Sequence, residues 1–438
     1  MKFIARVELI QKLLNNIMST VSDNYQNILL SVEDDILTVY TTDAELTTKT
    51  IIGVEAEETG SVLVEAKILN SLIQQMDKNA DVEIASFYNN RYTVSIKCDS
   101  GIYIDAIING SSPKDFYQGN NKEVILELLN AVPPTADDIK NNEIYFKENE
   151  IKYITEKTRY TIAKEEYRTN MRGVFFQFRG DHLKATSTDG YRLTRYINYA
   201  DEEQKYPNEL DLMIPSRIIN MISKTNSEVF FSMKEVDLEY EKKKEKIKLL
   251  RVDFEHTIIV ACLNPNVKFP DYEAILPTES YLETTIKLRS NDAKESPVGT
   301  LSYAMKNVLA MIKTIPYGQP WCKFHIKNKT EENPNPHMIV AVKGKNLYNN
   351  EDYEECMQVP VDIYDYVCND EDYNERYDIV YNANYLSELL DRIEDGLSED
   401  NNVIFNFLAP TRASVIKPIT EKDVLLMLLM PINEGRTL

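Results

Sequence analysis

The sequence predicts an α+β fold built from three repeated domains, each with two helices on antiparallel sheets. Three observations predict it. A chain of 438 residues exceeds what one hydrophobic core supports. A short alternating strand runs straight into an amphipathic helix six times, and the six units fall in three pairs. Long alternating runs at 28–40, 82–96 and 229–260 lie between them, broken by turn residues such as Glu33-Asp34-Asp35 and Asn89-Asn90.

The elements follow in chain order. Residues 1–7 alternate as a strand and lead into a helix over 8–21, whose stripe is Leu9, Ile10, Leu13, Leu14, Ile17, Met18 and Val21. That i, i+3, i+4 spacing gives one buried face. Residues 61–64 lead into a helix at 66–76, and 143–146 into one at 147–162. The strand at 210–214 leads into a helix at 215–224, where Pro215 suits the first helical position. The strand at 281–288 precedes a helix at 298–313, and 378–381 leads into 382–393. The expected domains are therefore 1–119, 142–277 and 278–438. Residues 120–141, with Pro133-Pro134 and a short apolar run at 124–129, read as an extended linker. An acidic, Tyr-rich insertion at 349–378 reads as a solvated excursion, and the basic run at 242–246 as an exposed hairpin.

Composition excludes several function classes. Apolar residues make up 43% of the chain, yet no run approaches the roughly 18 that cross a membrane. The first residues lack the apolar block of a secretory signal, which points to the cytoplasm. Five widely spaced cysteines argue against a disulfide framework and for a reducing compartment. No Cys-x-x-Cys pair exists and the four histidines are scattered, so no zinc site is expected. Asp370-Glu371-Asp372 lacks the glycine and spacing of a calcium loop, and no metal or other cofactor is implied. The chain has no phosphate-binding loop, no G-x-G-x-x-G, no H-E-x-x-H and no G-x-S-x-G, so nothing in it calls for an enzyme.

The net charge of −21 opposes tight wrapping of nucleic acid by the whole surface. Its distribution is uneven. Counted with the second span extended to 78, the six expected helical spans hold twelve basic residues against seven acidic ones, so the strands and loops carry the negative balance. An acidic protein with neutral-to-basic helices has the charge pattern of a surface facing a polyanion.

Three short strings carry apolar groups beside turns or prolines. They are Ser187-Thr188-Asp189-Gly190-Tyr191-Arg192-Leu193, then Phe269-Pro270-Asp271-Tyr272 with Ile275-Leu276-Pro277, then Leu428-Leu429-Met430-Pro431-Ile432. Asp-Gly is a tight-turn signal, and Tyr and Arg are residue types that anchor partner peptides. In type and order these strings resemble the bacterial sliding clamp family, the beta subunits of DNA polymerase III. The start Met1-Lys2-Phe3, the strand Met171-Arg172-Gly173-Val174 after Arg168, and the helix start Tyr381-Asn382-Ala383-Asn384-Tyr385-Leu386 agree with it. Pro113-Lys114-Asp115-Phe116 matches the first-domain exit in part.

The resemblance implies DNA-clamp domains that form a ring: a non-catalytic, head-to-tail homodimer encircling duplex DNA without regard to sequence. It implies partners, namely a replicative DNA polymerase, a clamp loader and repair factors, that insert a peptide between the second and third domains. The matching groove positions are Met171, Thr188, Gly190, Tyr191, Arg192, Leu193, Pro270, Ile275, Asn382, Tyr385, Leu428, Leu429, Met430, Pro431 and Ile432. Met171, Leu193, Ile275, Leu428, Met430 and Pro431 would anchor apolar groups, and Arg192, Asn382 and Tyr385 would orient polar ones. Lys12, Lys67, Lys152 and Arg217 would face DNA, and Ile102 and Ile104 would meet Ala310 and Met311 of a second copy. The chain departs from the family in its length, in residues 433–438 beyond the final motif, and in a loop at 22–26 without arginine. An alternative reading follows from those departures: an interaction hub of the same fold that binds peptides without encircling DNA.

Overall fold

The computed structural model describes the chain except residues 22–23, 44, 100–102, 117–121, 134–142, 202–205, 241–242, 265, 277–279, 291–295, 316–319, 332–333, 346–351, 394–400, 421–423 and 434–438; within strands, the side chains of 237–240, 243–245, 343–345 and 352–356 are also outside the description.

Seven α-helices are described: α1 Val7–Ile17, α2 Ala66–Ile73, α3 Lys122–Asn130, α4 Glu150–Thr158, α5 Ser216–Ile222, α6 Leu301–Thr314 and α7 Ala383–Leu390. Residues 1–119 contribute strands β1 Lys2–Arg6, β2 Asn27–Glu33, β3 Ile36–Thr42, β4 Leu46–Gly53, β5 Glu55–Glu58, β6 Gly60–Glu65, β7 Asp81–Tyr88, β8 Tyr92–Asp99 and β9 Tyr103–Ser111. Residues 142–277 contribute β10 Glu143–Phe146, β11 Gly173–Phe178, β12 His182–Thr188, β13 Arg192–Tyr199, β14 Leu210–Pro215, β15 Val229–Tyr240, β16 Lys243–Phe254 and β17 Thr257–Leu263. The remainder contributes β18 Leu282–Lys287, β19 Trp321–Lys327, β20 His337–Lys345, β21 Asp352–Cys368, β22 Arg376–Asn382, β23 Asn402–Phe407, β24 Ser414–Pro418 and β25 Leu425–Leu429.

These strands form two large sheets. One has the order β10-β15-β16-β17-β4-β3-β2-β6-β9-β8-β7-β1-β5, and the other β14-β11-β12-β13-β25-β24-β23-β18-β21-β20-β19-β22. The chain divides into two compact units. The first comprises Met1–Thr155, Asp201–Glu209 and Met213–Lys268; the second comprises Glu156–Ala200, Leu210–Leu212 and Phe269–Leu438. The division passes through residues 142–277, so those residues contribute to both units.

All six predicted strand-to-helix units are present, and local chemistry sets their ends. In α1 the buried stripe is Val7, Ile10, Leu13, Leu14 and Ile17, and Glu8 in the first turn complements the helix dipole. The last turn of the expected helix tightens into a 3-10 turn, Met18–Thr20. α4 starts later than 147 because Asn149 takes a left-handed backbone, φ 64°, while the Glu150 carboxylate accepts from the Lys147 amide at 2.7 Å. Pro215 precedes α5 as its N-cap, with ψ 145°, rather than occupying the first helical position. The Thr300 hydroxyl caps α6 by accepting from the Tyr303 amide at 3.2 Å, which moves that helix start from 298 to 301. The Glu33-Asp34-Asp35 turn has Asp34 and Asp35 both at positive φ, 46° and 59°, as a two-residue hairpin of that twist requires.

Two readings need correction. The linker at 120–141 contains a helix, α3, whose Ile125 and Leu129 bury against strand β17. The stretch at 349–378 contains the 17-residue strand β21, which pairs with both β18 and β20. Its alternation of acidic and apolar residues is that of a strand with one wet face, and the acidic count hid the period.

Candidate partner-binding groove

The turn between β12 and β13 is fixed by its own polar groups. Gly190 sits at φ +85°, a backbone angle that other residues adopt only with strain. The Asp189 carboxylate accepts from the amides of Tyr191 at 2.9 Å and Arg192 at 3.0 Å. The Thr188 hydroxyl donates to the Arg192 carbonyl at 2.8 Å and accepts from the Gly190 amide at 3.0 Å. Arg168 donates to the Asp189 carbonyl and lies 5.0 Å from the Tyr191 ring centre.

Arg192 ties this turn to α7. Its side chain is 4% exposed. Nε donates to Asp189 Oδ2 at 3.0 Å, Nη1 to Glu388 Oε2 at 2.5 Å, and Nη2 to the Tyr160 carbonyl at 3.0 Å. The guanidinium also lies 4.2 Å from the centre of the Tyr385 ring and 5.6 Å from that of Tyr160. A buried cation is tolerated when its donors and planar faces are occupied in this way. Burial pushes the phenols of Tyr160 and Tyr385 above their ordinary range, so both remain neutral neighbours of that charge.

A sheet seam runs beside the turn. β13 pairs antiparallel with β25, placing Leu193 opposite Leu428 and Arg192 opposite Leu429. The Met430 amide continues the ladder to the Tyr191 carbonyl at 2.8 Å, and the Ile432 amide donates to the Val380 carbonyl at 2.8 Å. Leu193 and Leu428 are buried with Tyr272 and Val415. Phe175 and Phe269 stack beside them, ring centres 5.0 Å apart, and Tyr272 donates to Gln177 Oε1 at 2.8 Å. Above this floor three apolar side chains stay in solvent: Tyr191 at 49% exposure, Ile275 at 61% and Met430 at 42%.

The predicted groove residues are thus sorted by role. Thr188, Gly190, Tyr191, Arg192, Leu193, Leu428 and Met430 form one continuous turn and seam. Met171 and Tyr385 adjoin it, beside Gly190 and Arg192 respectively. Pro270, which follows Phe269 in the segment that packs on the seam, is half-buried, as are Pro431 and Ile432. Leu429 is fully buried and contributes its backbone. The Asn382 side-chain oxygen caps α7, accepting from the amides of Asn384 at 3.0 Å and Tyr385 at 3.2 Å. Asp189, Glu388 and Tyr160 were missed. Asp189 has a signal in the sequence, since Asp before Gly fixes a turn by accepting downstream amides; Glu388 and Tyr160 are distant in sequence and have none.

The other expected positions are placed as follows. Lys12 is exposed and pairs with Glu255 at 3.4 Å. Lys152 donates to Asn226 Oδ1 at 2.8 Å, and Arg217 pairs with the buried Asp43. Lys67 is exposed on α2. Ile104 packs in part against the first-unit core, Ala310 is exposed and Met311 half-buried on α6, and Ile102 lies outside the described residues. Among the described residues no cluster of metal-ligating side chains occurs, and no helix is long and apolar enough to cross a membrane.

The signature of the DNA polymerase III beta subunit N-terminal domain matches residues 1–106, and that of its central domain matches residues 145–256. The chain belongs to the DNA polymerase III beta subunit family. Among curated relatives, the beta sliding clamp of Buchnera aphidicola subsp. Rhopalosiphum padi is 22% identical over 200 residues, covering 45% of this chain and 48% of the relative. That of Rickettsia felis is 25% identical over 258 residues, covering 58% and 60%. The chain therefore spans about half to three-fifths of the length of these clamps. Solved structures extend the likeness along the whole fold. The beta subunit of Thermotoga maritima aligns with TM-score 0.70 at 14% identity, covering 99% of each chain. The sliding clamp of Bartonella birtlesii bound to griselimycin aligns with TM-score 0.68 at 16% identity, covering 99% of this chain and 100% of that one. At these identities the structural likeness is one of fold.

Proposed function

We propose that the protein is a DNA sliding clamp, a non-catalytic processivity factor that closes as a homodimeric ring around duplex DNA. It tethers a replicative polymerase, a clamp loader and repair factors through the groove at the β13–β25 seam. The observation that carries this reading is the seam itself: a buried Leu193–Leu428 floor, a turn locked by Asp189 and Arg192, and Tyr191, Ile275 and Met430 left in solvent above it. A rigid apolar floor with an aromatic and Arg rim suits a short peptide with apolar anchors. The exposed faces of α1 and α2 carry Lys12 and Lys67 among mostly uncharged side chains, as weak, sequence-independent contact with phosphates needs. Ring closure would use the β9 strand of one protomer against α6 of its partner.

Topological linkage is tested by loading the protein on nicked circular DNA and then linearising it. Loss of protein from the free ends supports the clamp. Failure to load at all supports the hub reading.

A further inference from the structure

The first unit repeats the turn of the groove. The Asp43 carboxylate accepts from the amides of Glu45 at 3.2 Å and Leu46 at 2.9 Å, and the Asp43 amide donates to the Leu46 carbonyl at 3.0 Å. Asp189 makes the same three bonds with Tyr191 and Arg192, the last at 3.3 Å. The Cys262 amide donates to the Glu45 carbonyl at 2.8 Å, as the Met430 amide does to Tyr191. Strand pairing agrees: Ala261 faces Leu46 and Val260 faces Thr47, as Leu429 faces Arg192 and Leu428 faces Leu193. Leu46 therefore stands where Arg192 stands, and Arg217 of α5 meets the Asp43 carboxylate from outside the turn.

The helices beside the two turns differ as well. The N-cap of α5 is Pro215 and that of α7 is Asn382. Counted from those caps, Tyr385 matches Ile218 and Glu388 matches Met221, and both matching residues are buried and apolar. One Asp–Arg pair thus joins turn and helix in the first unit, and a second carboxylate has no counterpart there. Glu388 is an addition to the frame.

The addition acts on a charge that the turn itself leaves under-supplied. Asp189 Oδ1 accepts two backbone amides, and Oδ2 takes Arg192 Nε. Glu388 Oε2 supplies the second carboxylate, at 2.5 Å from Nη1, and its side chain is 49% exposed against 11% for Asp189. Glu388 follows Tyr385 by three residues, so both lie on one face of α7. They grip the same guanidinium, the carboxylate at its edge and the Tyr385 ring over its plane. Tyr385 in turn stands 6.3 Å, centre to centre, from Tyr191 on the turn.

We infer that Glu388 is a positioning residue of the groove: from α7 it holds Arg192, keeps Tyr385 set against Tyr191, and so fixes the spacing of the rim that a partner peptide meets. The role toward a peptide rests on the groove reading above; the clasp of Glu388, Arg192 and Tyr385 does not. A rim already in place spares the complex the ordering cost of assembling it.

The test uses the full chain, a fluorotyrosine placed at position 191, and a fluorescein-labelled hexapeptide selected on the unsubstituted protein from a random-sequence library. Glu388→Ala binds that peptide about fivefold more weakly and shifts the fluorine resonance at 191. Glu388→Gln, whose carbonyl oxygen still accepts from Nη1, restores both readings to near the parent. Glu388→Asp keeps the charge but falls one methylene short, and behaves as Glu388→Ala does. Should Glu388→Ala fail to fold by circular dichroism, the Gln and Asp variants carry the same comparison. Equal peptide binding by the parent and the Ala or Asp variant, an unmoved fluorine resonance, or a Gln variant no better than the Asp variant overturns the inference. Met430→Ala scores the groove separately. If it binds the selected peptide as tightly as the parent does, the groove reading falls and the role toward a peptide with it, while the fluorine shift still scores the clasp.

Discussion

The β4–β17 and β13–β25 seams share a turn, a strand register and a backbone bond at the exit, and each is packed over by a connecting segment, α3 on the first and Phe269, Tyr272 and Leu276 on the second; beside the second, Tyr191, Ile275 and Met430 also stay in solvent. The difference lies in a few side chains. Where the second seam has Arg192 anchoring the turn to α7, the first has Leu46, and its carboxylate is met instead by Arg217 from α5. Where Leu193 and Met430 give an apolar floor and rim, Thr47 and Cys262 stand. A frame common to both places thus carries different surfaces, because the backbone sets the turn and the side chains decide what it presents.

Replacing Arg192 with Ala should have the largest effect. It strips a buried cation from Asp189, Glu388 and the Tyr160 carbonyl, and loss of one partner of a buried pair typically costs about 3–5 kcal/mol. The chain's single tryptophan, Trp321, lies in the second unit and reports it, so the urea midpoint of its fluorescence should fall. An unchanged midpoint would mean that the turn does not depend on Arg192. Met430→Ala comes next: truncating an exposed anchor should weaken a bound partner peptide by about 1–3 kcal/mol and leave the Trp321 midpoint in place. Leu193→Ala should weaken the peptide similarly but also lower the midpoint, since that side chain is 1% exposed. If Met430→Ala and the parent bind such a peptide equally, the open seam is not the docking site. Arg217→Ala, the counterpart change at the β4–β17 seam, leaves the buried Asp43 carboxylate without its cation, and should cost about 3 kcal/mol, the low end for a buried pair because Arg217 is itself partly exposed, without moving the Trp321 signal.

The smallest expected effect separates the units by acid. Burial alone would raise the Asp378 carboxyl, but bonds from His325 at 2.9 Å and Arg376 at 2.7 Å outweigh it and bring the pKa down to about 2. A carboxylate depressed in the fold stabilises it above its unfolded pKa near 4, and that contribution disappears as pH falls to about 2. Asp378→Asn should therefore lower the Trp321 urea midpoint at pH 7, with the gap to the parent closing between about pH 4 and 2. A gap of constant size across that range would refute the assignment.

Much of this was legible in the sequence, because the signals were local. The helix stripe from Ile10 to Ile17 and the Asp-Gly turn at 189–190 each fit inside one element and follow its period. Lys122–Asn130 reads as linker in the sequence because Pro133-Pro134 follows it and a nine-residue segment has too few turns to establish a helical period. The strand Asp352–Cys368 reads as an excursion because its acidic residues dominate the composition. Glu388 and Tyr160 reach Arg192 only through tertiary contact, and the likeness of the Asp43 and Asp189 turns shows in sequence only as one Thr-Asp pair, the rest being backbone bonds and strand register. Such relations have no spacing to detect.

Gly190 bears on how this molecule can change over generations. Any side chain there takes a disfavoured backbone angle, so that position resists drift. Its neighbour Tyr191 projects half into solvent on the same rigid loop. Selection for a new set of client proteins would therefore run through position 191 and its exposed companions Ile275 and Met430, which can vary while the scaffold beneath them stays fixed.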